Sequence, residues 1–258
     1  MTTSTVLAGR AAKPPVSAAK TPLCSRRATT TLTHMVPRPE ATAKPRLILE
    51  HAQASHDAFK KAVEILKKER GGKRGMTTDE EQDILRASVV FAAAGLDAVA
   101  KQLIRDAVPA LLDSDPKVLD GLETFVSRRI RGEDEEGEGF TRARFLARLL
   151  TAKSSREQVI EEYVRELTGS SLQSAEELYK TASALGLDAA KMNIDRKTLQ
   201  PIFECRNKII HELDIDLSGT RRKRNIRSED QMIEYATTLL DVAARLINGV
   251  EERLRQAA

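Results

Sequence analysis

The segment between Thr78 and Pro109 constrains the fold of this chain more than any other. Its apolar residues recur three and four positions apart, at 84, 85, 89, 90, 96, 99, 103 and 104. This is the period of an α-helix with an apolar face. Thr78 and Glu81 have the spacing of a capping box, which marks the start of the helix, and Pro109 should bend or end it. A helix this apolar must be central, so the other segments are expected to pack around it.

The other segments repeat the helical period, and no stretch alternates apolar and polar residues as a strand does. Aromatic residues make up only 3% of the chain and Trp is absent, so the core must be aliphatic. These observations predict an all-α bundle. Further helices are expected at residues 45–70, 117–131, 140–152, 154–169, 174–185, 199–213 and 229–250. The Thr78 helix, helix 199–213, with Pro201 in its first turn, and the last helix should form the main core.

Residues 1–45 differ from the rest in composition. They are rich in Thr, Ser, Ala and Pro, and residues 1–39 carry six basic and no acidic side chains. This predicts a disordered basic tail, and a transit peptide of the same composition is the weaker alternative. Because the formal net charge is +4 and the tail carries +6, the remainder is near −2, which argues against a basic nucleic-acid-binding body. Residues 46–258 are expected to form one helical domain, with 132–195 as a helical insertion.

Cysteine and apolar content bear on compartment and cofactors. Cys24 and Cys205 are far apart in the sequence and predict neither a disulfide framework nor a Cys/His metal cluster. There is no run of about 18 apolar residues, so no membrane span is expected. The start lacks the continuous apolar region of a secretory signal. We expect a cytoplasmic protein that needs no metal or other cofactor.

The string Arg206-Asn207-Lys208-Ile209-Ile210-His211 is the most informative motif. Arg206 falls on the apolar stripe of its helix, where a guanidinium needs a partner carboxylate or a wet cleft. Asp97 lies among small apolar residues of the Thr78 helix and is one candidate partner; alternatively it faces solvent. Asn207 and His211 are four residues apart, so the amide could fix the imidazole tautomer. The plainer interpretation is a salt-bridged Arg and a structural His.

A basic segment follows the motif helix. Arg221, Arg222, Lys223, Arg224 and Arg227 place five cations in seven residues, a plausible contact site for RNA phosphates. No aromatic residue lies among them, so base stacking is not indicated. The alternative is an ordinary solvated loop.

The motif resembles the R-N-x-x-x-H signature of the HEPN superfamily, whose helical domains occur in many metal-independent ribonucleases. The resemblance implies an HEPN-like bundle in which Arg206 and His211 are the catalytic pair and Asn207 is a supporting polar residue. Asp97 would be the acid that anchors the Arg. It also implies RNA cleavage at the 2′-OH, leaving a 2′,3′-cyclic phosphate, by a homodimer with a composite site.

The resemblance also suggests a setting, namely a toxin or anti-phage defence effector with an antitoxin or another defence-system protein as its partner. A second hypothesis belongs to a different class of protein. The chain could be a catalytically silent helical module that binds nucleic acid or a protein partner through residues 221–227 and the bundle surface.

Overall fold

The helices that the sequence predicts are all present in the structure, a computed structural model that describes residues 40–71, 77–132, 142–217 and 223–256. A short 3-10 turn, Glu40–Thr42, precedes the first helix. The α-helices are α1 (Ala43–Glu69), α2 (Asp79–Leu111), α3 (Pro116–Arg131), α4 (Arg142–Thr151), α5 (Ser155–Gly169), α6 (Ala175–Ala184), α7 (Arg196–Glu212) and α8 (Glu229–Gln256). The described ranges contain no strand, only an isolated bridge between Ile215 and Arg224. The all-α class is therefore confirmed.

Local capping explains where several helices begin. Thr78 and Glu81 form the predicted capping box at the start of α2. Asp115 caps α3, and Pro116 occupies its first turn. At α5, the Ser154 hydroxyl accepts a hydrogen bond from the Glu157 N–H. These ends depend on residues within one turn of each other, which is why the sequence predicts them.

One of the two proline predictions needs correction. Helix α2 ends at Leu111, two residues after Pro109 and therefore close to the predicted end. Helix α7 begins at Arg196, so Pro201 lies in its second turn instead of its first. The earlier start is fixed by Asp195, whose carboxylate accepts hydrogen bonds from the N–H groups of Lys197 and Thr198.

Helix α2 is the centre of the core, as predicted, but its main partners differ from the prediction. It packs most extensively against α8 and α1, and α7 takes a smaller share of its surface. A Cβ on Gly95 would lie 2.6 Å from the Cβ of Ala52, so α1 and α2 approach too closely for a larger residue. Helix α1 therefore has the core position that we expected for α7.

Helices α4 to α6 occupy the range 132–195. Helix α4 packs on α3 and α5, whereas α5 and α6 pack directly on α2. The three helices are thus attached to the central helix as well as to each other.

Helix α2 is the one described helix that is long and apolar enough to cross a membrane on length and composition alone. Half of its most apolar window is buried against the rest of the protein. A core helix passes the same test, and the packing of α2 against α1 and α8 fits that description.

Several predicted features lie outside the described residues. They are the basic tail to residue 39, the loop at 72–76, the acidic loop at 133–139, and Arg221 and Arg222. The last part of the predicted tail needs correction, because residues 40–45 form the 3-10 turn and the start of α1.

Candidate functional site

Arg206 lies on the buried side of α7, where the apolar spacing places it. Leu199, Ile202 and Ile209 on that side are buried, and Arg206 is partly exposed among them. Its Nη1 donates to the Asn207 Oδ1 at 2.9 Å. Its Nε is buried and has no hydrogen-bond partner among the described residues. The guanidinium therefore sits in the protein surface without a carboxylate from this part of the chain.

Asp97 does not supply the counter-charge that was expected for Arg206. Its Oδ2 is 2.9 Å from the Lys101 Nζ, one turn further along α2. Its Oδ1 accepts a hydrogen bond of 2.8 Å from the Leu172 N–H. The carboxylate is also not a freely solvated group, since its side chain is only 21% exposed. Asp97 instead holds the segment before α6 against α2.

Asn207 holds that same segment from the side of α7. Its Nδ2 donates to the Gln173 carbonyl at 3.0 Å, and its Oδ1 accepts from Arg206. These are its hydrogen bonds within the described ranges, so the expected contact with His211 is not made. Asn207 orients Arg206 and does not orient the imidazole.

His211 lies in the last turn of α7 with an exposed side chain. On ideal helix geometry it is about 140° around the axis from Arg206 and about 7.5 Å along it. The imidazole can therefore reach a molecule in solvent, but it does not meet the Arg206 guanidinium on the same helix face.

The backbone after His211 makes a strained turn. Leu213 and Asp214 have φ angles of +51° and +57°, in the left-handed region, and the Ile215 N–H donates to the Glu212 carbonyl at 3.0 Å. Such a turn favours Gly and Asn, whereas a branched residue such as Leu costs about 1 kcal/mol or more. The strain must be compensated by contacts elsewhere.

Asp214 supplies those contacts. Its fully buried carboxylate accepts hydrogen bonds from Arg86 Nε at 3.0 Å, Arg227 Nε at 3.0 Å and Asn225 Nδ2 at 3.1 Å. Burial opposes ionisation of this carboxyl, but the hydrogen bonds from Arg227, Arg86 and Asn225 outweigh it and lower its pKa. The end of α7 is thereby tied to α2 through Arg86.

This network was missed at the level of sequence. One signal was present, because Arg86 interrupts the apolar segment of α2 beside Leu85 and is nonetheless only 5% exposed. A buried Arg requires a carboxylate, but nothing local in the sequence indicates that Asp214 provides it.

The network also changes the interpretation of the basic segment. Arg227 is 20% exposed and bound to Asp214, so its guanidinium is used inside the protein. Arg224 Nη1 lies 2.6 Å from the Asp83 Oδ1, although its side chain remains 42% exposed. Lys223 is exposed. Arg227 therefore stabilises the fold. Among the described cations of the basic segment, Lys223 and the outer part of the Arg224 side chain face solvent.

Large apolar side chains are exposed near the end of α7. Ile210 is 40% and Leu213 63% exposed, and Ile226, which follows Asn225 of the Asp214 network, is 66% exposed. Leu213 is the C-cap residue of α7, so it adds apolar surface beside the last turn of the helix. The surface beside His211 is suited to contact with another molecule.

A concavity is found at the other end of α7. It has a volume of about 300 Å³ and is lined by Asp195, Thr198, Asp241 and Arg245, among others. Asp195 is at the opposite end of α7 from His211, about 24 Å along the helix axis. This concavity therefore does not include Arg206 or His211.

Within the described ranges, no three His, Cys, Asp or Glu side chains are grouped so that they could hold a metal ion. Comparison with protein-family models, curated proteins and solved structures finds no match for this chain.

Proposed function

We propose that the chain is a metal-independent RNA endonuclease that acts as a homodimer, with Arg206 and His211 as its catalytic residues. The observation that supports this most is the state of Arg206. The guanidinium is half-buried, no described carboxylate pairs with it, and its one described hydrogen bond runs from Nη1 to the neutral amide of Asn207. A partly desolvated guanidinium without a counter-charge is costly, and the non-bridging oxygens of a phosphate would supply that charge at its terminal nitrogens.

His211 supplies the proton chemistry in this proposal. An imidazole near neutral pH can remove the proton of the ribose 2′-OH, and this typically contributes about 10²- to 10⁴-fold to the rate. The 2′-oxygen then attacks phosphorus, the bond from phosphorus to the 5′-oxygen breaks, and the leaving oxygen takes up a proton. The products are a 2′,3′-cyclic phosphate and a 5′-OH. Arg206 stabilises the negative charge that develops on the phosphate.

Two copies of the chain supply both a general base and a general acid for this reaction. One imidazole cannot act as base and acid in the same step, and the angle between Arg206 and His211 on α7 keeps them off a single face. In a dimer, one copy of His211 removes the 2′-proton and the other protonates the leaving group. We further propose a cytoplasmic toxin or anti-phage effector that is neutralised by a partner protein.

The second candidate function is a catalytically silent module that binds nucleic acid or protein. The exposed Ile210, Leu213 and Ile226 beside the motif favour it, because a binding surface needs apolar area and does not need His211. This candidate predicts RNA or protein binding without cleavage.

The test is RNA cleavage by the purified full chain in EDTA. We expect Arg206→Ala and His211→Ala to abolish cleavage while the helical circular dichroism signal is retained. Arg196→Ala, on the exposed start of α7, and His51→Ala, on an exposed face of α1, are matched controls that should cleave normally. A DNA strand of the same sequence should not be cleaved, because it lacks the 2′-OH. The RNA products should carry a 2′,3′-cyclic phosphate. Cleavage that persists unchanged in both motif variants rejects the assignment.

A further inference from the structure

One side of α2 carries an apolar stripe that the described residues cover only in part. Ile84, Ala87, Phe91, Ala94 and Ala98 make up this stripe, which we call the α2 stripe. Phe91 is 55% exposed and Ala94 is exposed, whereas the other three are partly exposed. The intervals between them alternate between three and four residues, so all five lie along one line on the helix.

The α2 stripe is unusual because the opposite face of α2 already forms the core. A helix at a protein surface normally presents polar side chains to water. Here the outward face is apolar for about four turns, and the nearest charged residues in that span, Arg86 and Asp97, are turned towards Asp214 and Leu172. The Phe91 ring lies 5.3 Å from the Phe59 ring, yet more than half of Phe91 remains in water.

We propose that a second copy of this chain covers the α2 stripe, with the two α2 helices packed antiparallel across a two-fold axis. The alternating spacing is that of the seam between two coiled helices. In the antiparallel register Phe91 of each copy packs on Ala94 of the other, and Ala87 on Ala98. Phe91, the largest side chain of the stripe, then meets a small one in both copies, as a self-complementary two-fold interface requires, and Ile84 lies opposite the aliphatic stem of Lys101.

Charge at the two ends of the seam selects this orientation. The same spacing continues backward to Glu80 and forward to Lys101 and Arg105. Glu80 and Arg105 are exposed, and neither forms an ion pair with another described residue. In the antiparallel register Glu80 of one copy lies opposite Arg105 of the other, twice by symmetry. A parallel arrangement would place like charges together.

The interface deepens the proposed function, since it rests on the homodimer proposed there, but it uses none of the residues to which we assign catalysis. Asp97, at the edge of the α2 stripe, binds the Leu172 N–H, and the next residue, Gln173, accepts a hydrogen bond from Asn207. One described segment therefore connects the edge of the stripe with Asn207 of the motif.

The first test is the mass of the full chain in solution, measured by light scattering after size exclusion at about 50 µM, a concentration at which micromolar affinity is visible. We expect twice the chain mass of 28.5 kDa. Ala94→Asp places an unpaired carboxylate in the seam and should weaken the dimer by at least about tenfold. Leu150→Asp is the matched control, since Leu150 is 85% exposed on α4, and it should remain dimeric.

A charge exchange tests the register. Glu80→Arg and Arg105→Glu should each weaken the dimer, and the double variant should restore it, because the pair is then reversed and not broken. Ala94→Asp is chosen over Phe91→Asp because a substitution at Phe91 would also remove its contact with Phe59 in the same chain and so affect folding. Unfolding in urea should show that Ala94→Asp retains wild-type stability once dissociated.

Three results would overturn the interface. They are a monomeric wild-type chain at this concentration, a dimer that survives Ala94→Asp, and a double charge variant no tighter than its single variants. A monomeric chain that instead binds lipid vesicles or another protein through the α2 stripe would also overturn the interface. Cleavage is assayed in parallel: a dimer without RNA cleavage contradicts the proposed function and leaves the interface standing. An Ala94→Asp monomer that cleaves normally supports the interface and contradicts the composite site.

Discussion

Arg86 and Asp214 are 128 residues apart in the sequence and form a buried ion pair, in which Arg86 Nε donates to the Asp214 Oδ2 at 3.0 Å. The side chains are 5% and 0% exposed. Because Asp214 lies three residues after His211, this pair fixes the end of α7 against the central helix. The geometry of the candidate site therefore depends on a contact outside the motif.

Replacement of Asp214 by Asn should destabilise the fold strongly. The change leaves Arg86 and Arg227 without their shared carboxylate, and loss of one partner from a buried pair costs about 3–5 kcal/mol. We expect this loss in the free energy of unfolding measured with urea. Asp241→Asn, at an exposed position of α8, is the control and should change it by less than about 0.5 kcal/mol. Equal effects of the two substitutions would contradict the role of Asp214.

Asp214 should also contribute to acid sensitivity. Its pKa is lowered in the fold, because hydrogen bonds from Arg227, Arg86 and Asn225 outweigh the effect of burial. The unfolded chain therefore takes up this proton at a higher pH than the folded chain does. The stabilisation is present above the unfolded pKa of about 3.9 and is lost as pH falls below it. Urea unfolding between pH 6 and about 2.5, which spans the range below the unfolded pKa, should show a smaller loss in Asp214→Asn than in the wild type.

His56 should make stability depend on pH in a higher range. The side chain is 6% exposed, with Nδ1 2.8 Å from the Ser88 Oγ and Nε2 3.3 Å from the Thr237 Oγ1. Burial lowers the pKa of His56, and the charge of Lys60 lowers it further, while Asp57 opposes them. Because the folded pKa lies below the unfolded value, this stabilisation is complete above about pH 6.5 and is lost as pH falls.

The measurement is urea unfolding of wild type and His56→Gln at about pH 8 and pH 5.5, on either side of the unfolded pKa of His. The wild type should lose more stability between these values than the variant does. His51→Gln, at an exposed position of α1, should behave like the wild type. An identical pH dependence in His56→Gln would show that the buried imidazole is not responsible.

Gly95→Ala should destabilise the protein although Ala is the better helix former. The added Cβ would lie 2.6 Å from the Ala52 Cβ, so α1 and α2 must separate, and overpacking of this kind costs about 1–3 kcal/mol. Gly169→Ala is the matched control, because a Cβ there meets nothing within 4 Å. Thermal unfolding should show a lower Tm for the first variant only; a Tm equal to wild type would mean that the helices are not packed this closely.

Arg206→Lys should separate positive charge from guanidinium geometry. Lys keeps the charge but cannot donate in parallel to two phosphate oxygens, so cleavage of RNA should fall by about 10²- to 10³-fold. Stability should be unchanged, since Arg206 forms no described ion pair. Arg196→Lys, whose salt bridge with Glu176 is exposed, serves as the control. Loss of stability together with retained cleavage would assign Arg206 a structural role.

Two cations of the basic segment, Lys223 and Arg227, should have different roles. Lys223→Ala should weaken RNA binding and reduce the salt dependence of binding by about one ion, because Lys223 is exposed. Arg227→Ala should chiefly lower stability, because its guanidinium is bound to the buried Asp214. Fluorescence anisotropy with labelled RNA across a salt series, together with urea unfolding, distinguishes the two. A stable Arg227→Ala variant with weakened binding would reverse the assignment.

Much of the helical architecture could be predicted because its signals are local. The period of apolar residues identifies the helices, and the capping residues Thr78, Asp115 and Ser154 mark their starts within one turn. Pro201 was misplaced because Asp195 caps α7 so that the helix begins at Arg196, three residues before the predicted start at 199. The placement of Arg206 on an apolar stripe also followed from spacing alone.

The partners of charged residues could not be predicted in the same way. Asp97 was a reasonable partner for Arg206 by environment, but Lys101 is one turn away and the Leu172 N–H reaches it after the chain folds. Arg86 finds Asp214 only because α7 ends beside α2. The sequence alone thus determined the helices, their buried faces and the candidate pair Arg206 and His211, since these depend on spacing along one helix. Only the tertiary structure decided which charges meet and which apolar faces stay uncovered, because those depend on how helices distant in sequence pack together.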